Sequence, residues 1–70
     1  MTNQLTQHEI EVLQLAAFGL PPKEMARTLN ISLEIVRHRI RRARKKLGTD
    51  NVPQAIAISV SRGYIKGERE

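Results

Sequence analysis

The chain has 70 residues, no cysteine, and 12 Lys and Arg against 7 Asp and Glu, which gives a net charge of +5. This length allows one small domain, over residues 1–70, and the lack of cysteine excludes disulfides and thiolate metal sites. No apolar run approaches the roughly 20 residues that span a bilayer, and the first residues lack a leader's basic and apolar regions, so we expect a soluble, cytoplasmic protein with a polyanionic partner.

Hydrophobic periodicity and capping residues predict an all-α domain of four helices, over residues 7–18, 22–29, 33–47 and 53–64. The first helix starts at a capping box formed by Thr6 and Glu9. Leu5 and Ile10 are placed to close over that box as a hydrophobic staple. Gly19 suits a left-handed residue that ends the helix.

The second and third helices are predicted to form a helix-turn-helix. Pro22 suits the first turn of the second helix, and Ser32 is a good N-cap for the third. Only a short turn separates the two helices. This arrangement is typical of motifs in which the second helix lies in a groove of DNA.

The third helix carries most of the positive charge. Its segment 37–46, RHRIRRARKK, holds seven of the twelve Lys and Arg residues and no acidic residue. Helical spacing places one apolar stripe on the core side, made of Val36, Ile40, Ala43 and Leu47. The uncompensated charges repel one another along the helix, so we expect them to face a polyanion rather than solvent alone.

The fourth helix is predicted to begin near Pro53, after a cap at Asp50 or Asn51. Its apolar residues point in two directions, and one direction suffices to dock the helix on the domain. The surplus side is a candidate dimer interface formed by Ile56, Val60 and Tyr64. The residues after Tyr64 are expected to be a fraying tail.

With its elements placed in this way, the chain resembles the LuxR/GerE-type helix-turn-helix domain of bacterial transcription regulators. The matching motifs run in register from Leu5 to about Ile56. They are Leu5-Thr6, Glu9-x-Glu11-Val12-Leu13, Ala17-x-Gly19, Lys23-Glu24-Met25-Ala26, Leu29-x-Ile31-Ser32, Val36, Lys46-Leu47-Gly48 and Gln54-Ala55. The family usually carries this domain at the C-terminus of a longer regulator, so the chain is either a stand-alone regulator or an excised domain.

The resemblance implies that the third helix enters the major groove of double-stranded DNA and that the fourth mediates a homodimer. By position, Arg37, His38 and Arg41 face the bases, whereas Ser32 and Lys46 lie near backbone phosphates. Together with the other cations of the third helix, the predicted DNA-binding residues are Ser32, Arg37, His38, Arg41, Arg42, Arg44, Lys45 and Lys46.

Three positions depart from the family's usual residues. Ile35 replaces a Thr, Arg39 replaces a His, and Val52 replaces an Arg in the turn before the fourth helix. Two functions therefore stay open. The first is sequence-specific DNA binding by a transcription regulator; the second is a protein-interaction module, an antiactivator or adaptor that keeps the fold and binds another regulator or RNA polymerase.

Catalysis is not expected. His8 and His38 stand far apart in the sequence, without carboxylates at metal-ligand spacing. His38 has no nucleophile or orienting carboxylate near it in sequence. The sequence predicts no metal, no cofactor and no enzyme activity.

Overall fold

The computed structural model describes residues 4–67 and contains four α-helices within them. They are α1 (Gln7–Ala17), α2 (Pro22–Leu29), α3 (Leu33–Leu47) and α4 (Val52–Ser61). Residues 4–67 contain no strand, so the predicted all-α class is confirmed. Across the same residues, no helix has the length and apolar character needed to traverse a bilayer.

Short polar side chains fix the starts of three helices. At α1 the Glu9 amide donates to Thr6 Oγ1 at 3.2 Å, and the Thr6 amide donates to Glu9 Oε1 at 2.9 Å, which confirms the capping box. Ser32 Oγ accepts from the Ile35 amide at 3.1 Å. Asn51, rather than Asp50, caps α4 by accepting from the Gln54 amide at 2.8 Å. Each cap satisfies an amide that the first helical turn would otherwise leave unpaired.

The turn between α2 and α3 is three residues long and built on a left-handed residue. Asn30 has φ 57° and ψ 47°, a conformation that Asn tolerates better than most residues. The Ile31 amide then donates back to the Ala26 carbonyl at 3.0 Å, which turns the chain sharply toward Ser32. The predicted helix-turn-helix is therefore formed.

Within residues 4–67, the interior is formed by two apolar clusters that meet along α1 and α3. One is centred on α2 and contains Val12, Met25, Val36 and Ile40. The other lies toward α4 and contains Leu5, Leu13, Ala43, Leu47, Ala55 and Ile65. The apolar stripe of α3 is thus divided between them, and its two halves fix α3 at both ends. All four predicted stripe residues are buried.

The end of α4 differs from the prediction of residues 53–64. The helix starts at Val52, because Asn51 is its cap, and ends at Ser61. Gly63 adopts φ 82°, and the Tyr64 amide donates to the Ser59 carbonyl at 2.9 Å, which closes the helix in a Schellman arrangement. Tyr64 therefore lies beyond the helix. In a smaller difference, α1 ends at Ala17 rather than at residue 18.

The expectation of a fraying tail after Tyr64 is wrong for residues 65–67. Ile65 is buried in the α4 cluster, with 6 % of its surface exposed. The side-chain amide of Gln14 brackets the next residue, accepting from the Lys66 amide and donating to the Lys66 carbonyl, both at 2.9 Å. The Schellman turn makes this possible by directing the chain back onto α1. Residues 68–70 of the expected tail lie outside the described residues.

Candidate DNA-binding surface

The outward side of α3 presents four basic side chains that the fold does not use, together with the exposed acidic side chain of Glu34 in its first turn. At about 100° per residue, Arg37, His38, Arg41 and Lys45 fall within an arc of about 100°, away from the buried stripe. All four are exposed. None of their side chains forms a hydrogen bond or ion pair with another part of residues 4–67. We call these four residues the outer basic face.

Two shallow concavities extend this face to either side. The first is lined by His38, Arg41, Arg42, Lys45 and Lys46. The second reaches the starts of α2 and α4 and is lined by Pro22, Arg37, Ile40, Arg41, Arg44 and Val52. The cationic surface is therefore continuous across the width of α3. The major groove of B-DNA is wide enough to admit an α-helix, so cations along the exposed side of such a helix can meet phosphates on either side of the groove.

Two of the predicted DNA-binding cations instead contact the capping carboxylate of α1. Lys46 Nζ lies 2.9 Å from Glu9 Oε1, and Arg42 Nε lies 3.4 Å from Glu9 Oε2. Lys46 Nζ also donates to the Gln4 carbonyl at 3.3 Å, and only 22 % of its side chain is exposed. Arg42 keeps 56 % of its side chain exposed. Lys46 is thus directed inward, whereas Arg42 is shared between Glu9 and solvent.

The electrostatics of Glu9 follow from this arrangement. Burial by itself raises the pKa of the Glu9 carboxyl, because a charge is costly away from water. The hydrogen bonds from the Thr6 amide, Lys46 and Arg42, together with the Lys46 charge, outweigh that effect and lower the pKa below its ordinary value. Glu9 therefore stays ionised and connects the first turn of α1 to the last turns of α3.

Arg44 is also partly used by the fold. Its Nη1 donates to the Asp50 carbonyl at 2.6 Å, which ties α3 to the turn before α4. Its Nε is buried without a hydrogen-bond partner in the described part of the chain. The remaining guanidinium edge borders the hollow beside Val52. Arg44 is therefore held in one orientation rather than free in solvent.

Ser32 lies at the start of α3, where its hydroxyl oxygen accepts the Ile35 amide. The residue is exposed, so the hydroxyl hydrogen remains available to an outside acceptor. The Ser32 cap therefore fixes the backbone of the first turn of α3.

The three residues that depart from the family pattern have different surroundings. Ile35 is exposed on the first turn of α3, with 42 % of its surface accessible. Val52 is half-buried and packs against the α2 cluster, so it contributes to the core. Arg39 is half-buried on the flank of α3.

The predicted dimer residues are not equally accessible. Ile56 and Tyr64 are half-buried and pack against the α4 cluster. Val60 is 39 % exposed and, with Ile35, is one of two exposed large apolar side chains among residues 4–67. The apolar surface available on α4 is therefore centred on Val60.

Sequence reasoning missed two contacts between distant parts of the chain: those of Glu9 with α3 and the bracketing of Lys66 by Gln14. Helical spacing sorts α3 residues by direction, but it does not identify a partner that arrives from another helix. The capping box accounted for Glu9 within its own helix, so its contacts with Arg42 and Lys46 on α3 were not predicted. The Gln14 contact joins residues 52 positions apart and has no signal in local pattern.

Comparison with known proteins is consistent with this geometry. The profile of the family described as bacterial regulatory proteins, luxR family, matches residues 3–59. Two Bacillus subtilis (strain 168) proteins are similar to the chain. Transcriptional regulatory protein DesR is 41% identical over 64 residues, which are 91% of this chain and 32% of DesR. Transcriptional regulatory protein YdfI is 34% identical over 62 residues, or 89% of this chain and 29% of YdfI.

The chain therefore spans about a third of the length of these relatives. The match covers the capping box, the helix-turn-helix and most of α4, and so includes the elements that position the outer basic face. On the family match and the four-helix architecture together, the chain belongs to the LuxR family of bacterial regulatory proteins.

Proposed function

We propose that this chain binds double-stranded DNA in a sequence-specific manner as the DNA-binding part of a transcription regulator. The observation that supports this most directly is the outer basic face, whose Arg37, His38, Arg41 and Lys45 side chains are exposed and unpaired within residues 4–67. Cations that the fold does not neutralise gain free energy by displacing counterions from phosphates. α3 is the second helix of the helix-turn-helix, and in proteins with this motif the second helix enters the major groove.

The residues of α3 divide by role in this proposal. Arg37 and Arg41 are one turn apart, so both guanidinium groups can reach base edges, where they fit guanine O6 and N7. His38 accompanies them along the groove, and Lys45 contacts a phosphate at its edge. Ser32, Arg42 and Arg44 contact flanking phosphates. Lys46 contributes positive charge while its Nζ stays paired with Glu9.

The names of the two relatives, both transcriptional regulatory proteins, support a regulatory role for the DNA binding. The chain spans about a third of the length of these relatives, so the proposal concerns the DNA-binding part alone. We further propose that two copies bind a two-fold site through contacts centred on Val60 of α4.

The direct test is to select bound duplexes from a random pool and to measure the affinity of the best duplex at several salt concentrations. We expect a common sequence with two-fold symmetry. We also expect log affinity to fall with log salt at a slope of about −0.9 per phosphate neutralised, so four to six contacts give a slope of about −4 to −5. A pool without a common sequence would contradict sequence-specific binding.

Single substitutions Arg37→Ala and Arg41→Ala test the face itself. Loss of a guanidinium that reads a base should weaken binding by about 1–3 kcal/mol, or roughly 5- to 150-fold, with the fold unchanged. Arg62→Ala is the matched control, because it removes the same charge from an exposed residue after α4. We expect Arg62→Ala to change affinity by less than about threefold.

The protein-interaction alternative is supported by the exposed apolar side chains Ile35 and Val60. A module that binds another regulator or RNA polymerase would keep its partner complex when Arg37 and Arg41 are replaced. If both Arg variants leave duplex binding unchanged relative to Arg62→Ala, the DNA-binding proposal is wrong and this alternative is favoured.

A further inference from the structure

The first turn of α3 carries an apolar side chain on a surface that is otherwise polar and cationic. Ile35 is 42 % exposed, and no contact within the core accounts for it: it belongs to neither apolar cluster. Its neighbours one helical turn along are His38 and Arg39, and Arg42 follows after two turns. Ile35 therefore borders the outer basic face at the end where α3 begins.

The position is also rigid. The Ile35 amide is held by Ser32 Oγ at 3.1 Å, and the preceding turn is fixed by the left-handed Asn30. A β-branched side chain in a helix has one strongly preferred χ1 rotamer. The branched end of Ile35 is thus presented in a defined direction, and binding costs little additional side-chain entropy.

An apolar side chain at this place has few possible partners on DNA. It cannot accept or donate a hydrogen bond, so phosphates and most base edges offer it nothing. The apolar feature that the major groove displays is the C5-methyl group of thymine. In helix-turn-helix proteins the N-terminal residues of the second helix are those that contact base edges.

We infer that Ile35 is a specificity-determining residue that packs against the C5-methyl group of a thymine in each half-site. The inference rests on the proposed function, because it requires α3 to lie in the major groove. It adds a recognised base to a surface whose other proposed contacts are made by polar and charged side chains. It also assigns a DNA contact to a side chain that the alternative function would use for a protein partner.

The test uses the best duplex selected by the wild-type protein and replaces each thymine in turn by deoxyuridine. This change removes one methyl group and keeps the base pair. At one thymine in each half-site we expect wild-type affinity to fall about 3- to 10-fold, the effect of losing one apolar methyl contact. Ile35→Ala should bind the thymine and uracil duplexes with affinities within about twofold of each other.

Arg62→Ala is the control, since it shortens an exposed side chain after α4 that has no assigned contact with DNA or with a second copy. It should retain the full difference between thymine and uracil duplexes. A second selection with Ile35→Ala should lose the preference for thymine at the sensitive position and keep the rest of the consensus.

Three results would overturn the inference: a selected half-site without thymine, no methyl-sensitive thymine, or the same methyl effect in Ile35→Ala as in wild type. These outcomes leave duplex selection, salt dependence and the Arg37 and Arg41 effects intact. Failure of the proposed function is different, because it removes duplex binding or its dependence on those arginines.

Discussion

The seven Lys and Arg residues between positions 37 and 46 do not share one role. Glu9 attracts two of them, Lys46 closely and Arg42 loosely, and the turn before α4 holds Arg44. Unpaired side chains within residues 4–67 belong to the other four, which are Arg37, Arg39, Arg41 and Lys45. A continuous basic segment is thus separated into cations that position the helix and cations that are available to a ligand.

Glu9→Gln tests the positioning role. The variant should lower the free energy of unfolding by about 1–3 kcal/mol at pH 7, because a buried charged acceptor of three donors becomes neutral. Since the folded-state pKa is lowered from about 4.5, the stabilisation is fully present above that pH and is lost as pH falls through the folded pKa. Urea unfolding of both proteins between pH 7 and pH 3 measures the difference.

The control for this prediction is Glu11→Gln, the same change on the same helix at a residue whose side chain makes no hydrogen bond or ion pair among residues 4–67. It should shift stability by less than about 0.5 kcal/mol. A gap between wild type and Glu9→Gln that stays constant down to pH 3 would contradict the role assigned to the carboxylate.

Lys45 and Lys46 are adjacent in sequence and are expected to behave oppositely on substitution by alanine. Lys45→Ala should make the salt slope of DNA binding less negative by about 0.9 and leave stability within about 0.5 kcal/mol. Lys46→Ala should cost about 1–2 kcal/mol of stability, through loss of its bond to Glu9, with a smaller change in slope. Fluorescence anisotropy across a salt series and chemical unfolding give both quantities. Equal slopes for the two variants would mean that Lys46 reaches phosphate as directly as Lys45 does.

Among the helices, the features that depend on residues close in sequence were predicted correctly. The capping box, the Ser32 cap and the α3 stripe were identified because each depends on residues within one or two turns. The end of α4 was not, because the apolar pattern continues to Tyr64 while Gly63 ends the helix. The outward direction of Arg37, His38 and Arg41 follows from helical spacing, whereas the inward direction of Lys46 depends on a carboxylate 37 positions away.

The segment after α4 is expected to contribute to the stability of the domain through Ile65. Ile65→Val should destabilise the domain by about 0.5–1.5 kcal/mol, because it removes one methylene from a site that is 6 % exposed. Val60→Ala removes more carbon from a site that is 39 % exposed and should cost less than about 0.5 kcal/mol. Thermal unfolding followed by circular dichroism compares them. If Ile65→Val proved neutral, residues 65–67 would not belong to the folded unit.

Within residues 4–67, the outer basic face and the exposed surface around Val60 lie on different helices. The outer basic face belongs to α3, and the exposed apolar surface is centred on Val60 of α4. Contacts between α3 and α4 through Ala43, Leu47 and Ala55 fix one surface relative to the other. A second copy that contacts α4 would therefore place its own α3 at a set distance along the DNA. Even a weak interface would then favour duplexes whose two half-sites are separated by that distance.

Val60→Asp tests this coupling. A charge at the proposed interface should reduce affinity for the two-half-site duplex toward that for a single half-site, a loss of about 10-fold or more, and should leave single-half-site affinity within about twofold. Ser61→Asp adds the same charge at an exposed neighbouring residue of α4 and should keep the two-site affinity. Inserting about five base pairs between the half-sites rotates them by half a helical turn, so wild type on that duplex should bind like Val60→Asp. If the insertion left wild-type affinity unchanged, the two copies would bind independently and Val60 would not form the contact between them.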